Sequence, residues 1–375
     1  MSGRGSRDGW SRRWRRSGVV VAVVVAAGLV GCQPSPSPSP TGTDPAPTAS
    51  PTPTETTPAR EPVTGVVDTV AVGAEPGNVT VAPDGTRAYV SNASDGTVSV
   101  IDTATSTVAD TIDVGERPAG LAVHSGFLYV SDPGEAPYGP PPQPPAPVVG
   151  LVVVDLVAGA VDDRIEIGSI FAPVALDPVA GRAYVMREEA GGQSVTVVDL
   201  ESREVGDSVS FPGEWSAGPV VAPELGRLYV TDSGTGVLYV VDLETLEVLS
   251  DDPVAEPDLV SVRPMAVDEA AGRLYLSEWE GPLHVVDTAT TSVVAEVPMG
   301  EGVDATVSGV VLDPDAGVGY VLKSRAGEVD VVDLGSLAVV GTIDVGGQVS
   351  AGALDPQTGR LYLVDRNADV VHVLG

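Results

Sequence analysis

One unit returns seven times between Arg87 and Gly375, and it limits the folds open to this chain more than any other feature. Each copy pairs a Tyr-Val or Tyr-Leu strand with a second strand that usually ends in Val-Asp. The marker tyrosines are Tyr89, Tyr129, Tyr184, Tyr229, Tyr275, Tyr320 and Tyr362, spaced 40, 55, 45, 46, 45 and 42 residues apart. A repeat of roughly 40–45 residues with several short strands per unit is the signature of a β-propeller, one four-stranded antiparallel sheet per blade. The fold class is therefore all-β, a seven-bladed propeller.

The first full unit, Val79 to Gly120, predicts strand A at 79–82, B at 87–92, C at 96–102 and D at 107–114, with a Pro83-Asp84-Gly85 turn between A and B. β-Branched residues in alternation fill the strands, and Gly, Pro, Asp and Asn punctuate them. The seventh unit supplies A, B and C. Its fourth strand is expected from the N-terminal side, because Gly65 to Asn78 matches the strand D segment Thr107 to Gly120. Such closure leaves no free edge between blades, which favours a monomer. Strand C ends in Asp102, Asp155, Asp199, Asp242, Asp287 and Asp333, with Gly375 in the seventh position. An Asp there accepts hydrogen bonds from turn amides, so this column reads as structural and not as a metal ring.

RAYVSNASDGTVSVIDTATSTVADTIDVGERPAGLAV and the tetrapeptide YVTD at Tyr229–Asp232 carry a resemblance across the whole head. They are similar to the YVTN repeat of bacterial and archaeal surface propellers. The resemblance implies a seven-bladed propeller on an exported protein, often without enzymatic role. Related propellers include lactonases and quinone- or haem-linked redox enzymes. No Cys-x-x-Cys-His is present, so covalent haem is not expected, and no cofactor is assigned.

The front of the chain reads as an address. Six arginines against Asp8 within residues 1–16 precede an uncharged apolar run from Gly18 to Val30, which is short for a membrane span. Leu29-Val30-Gly31-Cys32 resembles a bacterial lipobox, in which Cys32, the only cysteine, is acylated and becomes the N-terminus. The expected organisation is a lipoprotein signal peptide at 1–31, a tether at 32–62 and the propeller at 63–375. Ten of the thirty residues from Gln33 to Pro62 are proline and most others Ser or Thr, a composition that favours extended chain. It reaches up to about 90 Å at roughly 3.1 Å per residue. The expected location is the extracytoplasmic face of the cell membrane, held by lipid and facing the wall.

Without residues 1–31 the chain keeps 14 basic and 51 acidic residues, a formal charge of −37. That argues against nucleic acid, and against direct docking on anionic lipid or anionic wall polymer. Acidity that keeps an exported protein soluble accounts for the balance.

In a four-stranded blade the B–C and D–A loops share one face and the A–B and C–D turns the other. The A–B turns look monotonous, whereas SNASDG, MREEAGGQ, SEWEG, LKSRAG and VDRNAD vary between B and C. Variation marks the working face, because shared positions already serve packing. Trp215 and Trp279 lie in these loops, flanked by Glu214 and Glu278, with Phe171 in another and Arg117 and Arg263 at similar D–A positions. Exposed Trp beside Arg and Glu is a recognition composition for a protein, peptide or glycan. Blade 2 inserts a proline-rich arm at 133–147 on the same face, with Tyr138 as a docking candidate. His124, in an A–B turn, and His284 and His372, in strands C, are too scattered for a metal cluster, and no nucleophile elbow or phosphate loop is present. The runner-up reading is a calcium-dependent lactonase-like hydrolase at the channel mouth, where Asp304 is the only obvious D–A acid. A quinone-dependent dehydrogenase ranks below it.

Overall fold

The computed structural model describes residues 60–133, 150–168, 170–189, 192–212, 218–232, 234–253, 263–278 and 280–375. They form seven four-stranded antiparallel sheets, the predicted seven-bladed propeller. The A strands are Pro76–Val81, Leu121–His124, Ile170–Asp177, Val220–Ala222, Arg263–Asp268, Val307–Asp313 and Val349–Leu354. They contact one another from blade to blade, which places them innermost. The B strands are Arg87–Asn92, Phe127–Asp132, Arg182–Glu189, Arg227–Asp232, Arg273–Ser277, Val318–Lys323 and Leu361–Asp365. Strand A of blade 1 starts at Pro76, not at 79. A register shift beside Gly77 lets it begin early, and Pro76 is tolerated because an innermost strand has one unpaired edge.

The hydrophobic core lies between the blades. Seven buried clusters fill the seven seams, each built from two consecutive blades. The marker tyrosine of each blade points forward into the seam with the next blade. Tyr129, Tyr184, Tyr229, Tyr275, Tyr320 and Tyr362 are all fully buried. Burial pushes their phenols above the ordinary value. This seam location explains the repeat: a strand B of period two offers one side to each neighbour, so both sides must be apolar.

Arginines two residues before the tyrosine fasten the seams. Arg182 Nη1 donates to the Leu243 carbonyl of the next blade at 3.2 Å, and Arg360 Nη1 to that of Thr103 at 3.3 Å. Arg273 Nη1 donates likewise to the Leu334 carbonyl. In each case the acceptor directly follows the strand C aspartate of that blade, Asp242, Asp102 or Asp333.

The ring closes as the repeat predicts. Val66–Ala71 pairs antiparallel with Val370–Leu374 and serves as strand D of blade 7. A second element of closure precedes it. Val63 is 6% exposed and joins the cluster between blades 6 and 7, donating its N–H to Tyr320 Oη at 3.0 Å. Arg60 reaches Asp313, Asp315 and the Pro356 carbonyl, tying the A–B turns of those two blades together. Val63 thus fills the seam place held by Leu200, Leu243 or Leu334 in other blades.

Candidate functional site

The two faces of the ring are built differently. On the A–B/C–D face, every strand C aspartate from Asp102 to Asp333 accepts from the amides of the turn that follows it, as the repeat predicts. Asp242, for example, takes the N–H groups of Glu244 at 3.0 Å and Thr245 at 2.8 Å. The same arrangement recurs at Asp102, Asp155, Asp199 and Asp287, and Asp333 takes that of Ser336. The fourth residue after the Asp is left-handed each time, with φ of 51° at Ser106, 65° at Gly159, 60° at Arg203, 56° at Leu246, 54° at Thr291 and 56° at Leu337. Hydrogen bonds from the turn hold the Asp102, Asp199, Asp242, Asp287 and Asp333 carboxyls below the usual carboxylate value. Asp177, Asp313 and Asp355 cap A–B turns in the same way. Much of the acidity is therefore structural, beyond its contribution to solubility.

On the B–C/D–A face the B strands end in a polar column that the sequence reading missed. The residue three places after each marker tyrosine is polar in all seven units: Asn92, Asp132, Arg187, Asp232, Glu278, Lys323 and Asp365. Asn92 Nδ2 donates to Thr97 Oγ1 at 3.0 Å and Ser99 Oγ at 2.9 Å. Asp132 accepts from the amides of Glu116 and Arg117, and Asp365 from those of Asn367 and Ala368. Asp232 accepts from Gly234 N at 2.8 Å and Thr235 Oγ1 at 2.6 Å. Lys323 Nζ lies 2.8 Å from Glu328 and 3.1 Å from Asp330; burial disfavours its charge, but these carboxylates outweigh burial and raise its pKa. Glu278 meets the buried His284 at 3.4 Å. A polar residue repeated at a fixed offset from a core tyrosine was the available signal. Buried polar groups need partners: the three aspartates take loop groups, while Asn92, Lys323 and Glu278 meet side chains of strand C.

The predicted site residues distribute unevenly on this face. Arg117 is half-buried in the loop between blades 1 and 2, its N–H on Asp132. In blade 5 the backbone of Arg263 pairs with Ser277, next in the chain to Glu278. Arg263 is not in a loop as the sequence suggested but opens strand A, and Phe171 lies inside strand A of blade 3. Period-two pairing extends these strands past the apolar run that marked them. The side chains of Phe171 and Arg263 lie outside the described residues, as do Cys32, Tyr138, Glu214, Trp215 and Trp279. His124 ends a strand instead of sitting in a turn, because blade 2 turns on Ser125 and Gly126 alone. Asp304 lies on an exposed 3-10 turn, Gly302–Ala305. Among the described residues no three His, Cys, Asp or Glu side chains are placed to hold one metal ion.

Two concavities differ from the rest of the surface. That shortened turn makes the A–B turns less uniform than the sequence suggested. It opens a cleft of about 640 Å³ at the seam of blades 2 and 3, where Phe127 replaces the fastening arginine and Val179 is 85% exposed. A second, of about 430 Å³, lies on the B–C/D–A face between the B–C loop of blade 5 and the connection to blade 6.

No known family profile matches the chain, and no curated protein matches it in sequence. Solved structures do match in shape. Kuenenia stuttgartiensis hydrazine synthase superposes with a TM-score of 0.67 at 18% identity, over 80% of this chain and 95% of that one. The Cps50 (Swd1) β-propeller domain of Myceliophteria thermophila gives 0.63 at 13% identity, over 83% and 98%. Likeness at such identity establishes the fold alone.

Proposed function

We infer that this chain is an extracytoplasmic, lipid-anchored binding protein whose propeller presents its B–C/D–A loop face to a protein, peptide or glycan of the cell envelope. The observation that carries the reading is the contrast between faces. The C–D turns repeat one Asp-capped geometry, and arginines on that face cross the seams. The B–C and D–A loops differ in length and sequence, yet those of blades 2, 4 and 7 rest on a buried aspartate, Asp132, Asp232 or Asp365. A variable surface on an invariant support is how a rigid scaffold presents specificity. The lipobox-like Cys32, the proline-rich tether and the likeness to YVTN surface propellers support export and attachment. The two structural neighbours, one named as a synthase and the other as a propeller domain, show that the fold itself selects no function.

The test is capture of envelope components by the parent protein and by variants. Trp215→Ala, Trp279→Ala and removal of residues 133–147 are expected to weaken capture, while Val179→Ser on the opposite face leaves it intact. Equal capture by all of them would refute the choice of face. Acyl labelling and membrane retention are expected to disappear in Cys32→Ser; labelling that persists would refute the anchor.

A further inference from the structure

We propose that Arg187, at the loop-face end of strand B in blade 3, is the cationic half of a subsite for a carboxylate carried by the ligand. The proposal rests on the reading of this face as the binding side and names the chemistry that one blade selects.

Arg187 is the arginine of the polar column, and its sheet gives it no counter-charge. Cross-strand partners project from the same side of a sheet, so the register identifies its neighbours. Arg187 stands opposite Ser194 of strand C, which stands opposite Ser210 of strand D. One row further in, Val185, Thr196 and Ser208 align in the same way, and the Thr196 and Ser208 hydroxyls lie 2.9 Å apart. Across the seam, blade 2 presents Leu151, Ile165 and Ile167, all buried in the apolar cluster that also holds Val185. Above, Gly168 of the D–A connection leaves room for the guanidinium, since a Cβ there would stand 3.4 Å from Arg187 Nη2. Among the described residues no carboxylate pairs with Arg187, and its Nε is buried without a hydrogen-bond partner.

Blade 6 supplies the comparison, because its member of the column is also a cation. Lys323 stands opposite Glu328 as Arg187 stands opposite Ser194, and Asp330 takes the place of Thr196. Asp344 takes the place of Ser210. Lys323 Nζ lies 2.8 Å from Glu328 and 3.1 Å from Asp330, so this cation is neutralised from within. In blade 3 the equivalent positions carry hydroxyls, which form hydrogen bonds but bring no charge. A half-buried guanidinium without a counter-ion is costly, and an anion that reaches it removes the cost. To a carboxylate it offers two parallel N–H donors. The chain beyond residue 31 has 51 acidic against 14 basic residues, and Glu188 and Glu189 follow Arg187 directly. That surrounding charge opposes a dianion more than a monoanion. The group selected is therefore a single carboxylate, from the end of a peptide or from a sugar acid.

The probes are N-acetylalanine and glucuronate, one for each source, titrated into the intact protein by calorimetry, with N-acetylalaninamide as the uncharged control. At least one carboxylate is expected to bind, and the one that binds identifies the source. Arg187→Gln is expected to weaken that binding about tenfold. Thr196→Asp keeps the guanidinium but installs the counter-ion of blade 6; it is expected to weaken binding as much while the melting midpoint stays level or rises. Arg366→Gln removes an exposed positive charge from the same face and is expected to change binding less than about twofold. Equal weakening by Arg187→Gln and Arg366→Gln means diffuse attraction and overturns the proposal, as does binding of neither carboxylate or equal binding of the amide. Binding that appears only in Glu189→Gln means that the chain supplies its own counter-ion, and overturns it too. Failure here is distinguishable from failure of the face itself. Envelope capture that still depends on Trp215, Trp279 or residues 133–147 preserves the face while the carboxylate subsite falls.

Discussion

The A–B/C–D face and the B–C/D–A face are made by the same seven blades, yet one is a repeated part and the other a set of individual loops. On the first, an Asp at the strand C end of blades 1 to 6 holds the same turn in the same left-handed geometry, and arginines cross the seams to neighbouring carbonyls. On the second, the repeated feature is hidden: a polar side chain at the end of each strand B, committed inward, with loop sequences free to diverge above it. Uniform geometry at the surface marks where the ring is held together. Uniform support beneath varied loops marks where it is free to recognise.

The largest expected effect tests whether closure belongs to the structural side of that contrast. Removing residues 60–72 takes away Arg60, Val63 and the closing strand together, exposing the edge of Val370–Leu374. The product is expected to lose its cooperative melt or to oligomerise, read by calorimetry and light scattering. A monomer that melts like its parent would break the scheme.

Next in size come the seam tyrosines. Tyr229→Ala is expected to cost about 3–5 kcal/mol in urea unfolding, as a large cavity in a closed seam does. The hydroxyls separate finer cases. Tyr229 Oη is buried without a partner, so Tyr229→Phe is expected to be neutral or slightly stabilising. Tyr320 Oη accepts from Val63, so Tyr320→Phe is expected to lose about 1 kcal/mol.

Buried aspartates on the two faces give a direct comparison. Asp355 caps the A–B turn of blade 7, and Asp365 anchors its B–C loop; they are 1% and 2% exposed. Asp355→Ala and Asp365→Ala are each expected to cost about 2 kcal/mol, because each leaves turn amides without an acceptor. Removing residues 133–147, read from the sequence as a recognition arm, is expected to change stability by less than about 0.5 kcal/mol. An equal cost for the arm would show that the loop face is structural too.

The smallest effect is pH dependence. The turn aspartates have folded pKa values below their ordinary 3.8, so their stabilisation is present above that value and fades as pH falls through the lowered range. The seam tyrosines are raised above 10.0, so theirs is complete below pH 10.0 and fades as pH rises through the raised range. Urea midpoints are expected to be level between these limits and to fall on both sides. Replacing Asp with Asn at Asp199 and Asp333 should flatten only the acid side.

The sequence by itself determined the number of blades, the strand letters, the closing strand and the turn aspartates. Each of these is a local pattern, written in alternation, in turn residues and in a period that a single chain displays. Only the tertiary structure decided what depends on two blades meeting. Asp132, Asp232 and Asp365 look like ordinary strand-end polar residues until burial and their partners show that they hold loops. Arg60 looks like tether until it is seen closing a seam some 250 residues away in the chain, beside Val63. The cleft of Glu280, Glu296 and Glu301 exists because a loop and a connection from neighbouring blades converge over Met299. Periodicity reports which side of a strand is apolar. It carries no information about which neighbour will cover that side, because that depends on contacts distant in sequence.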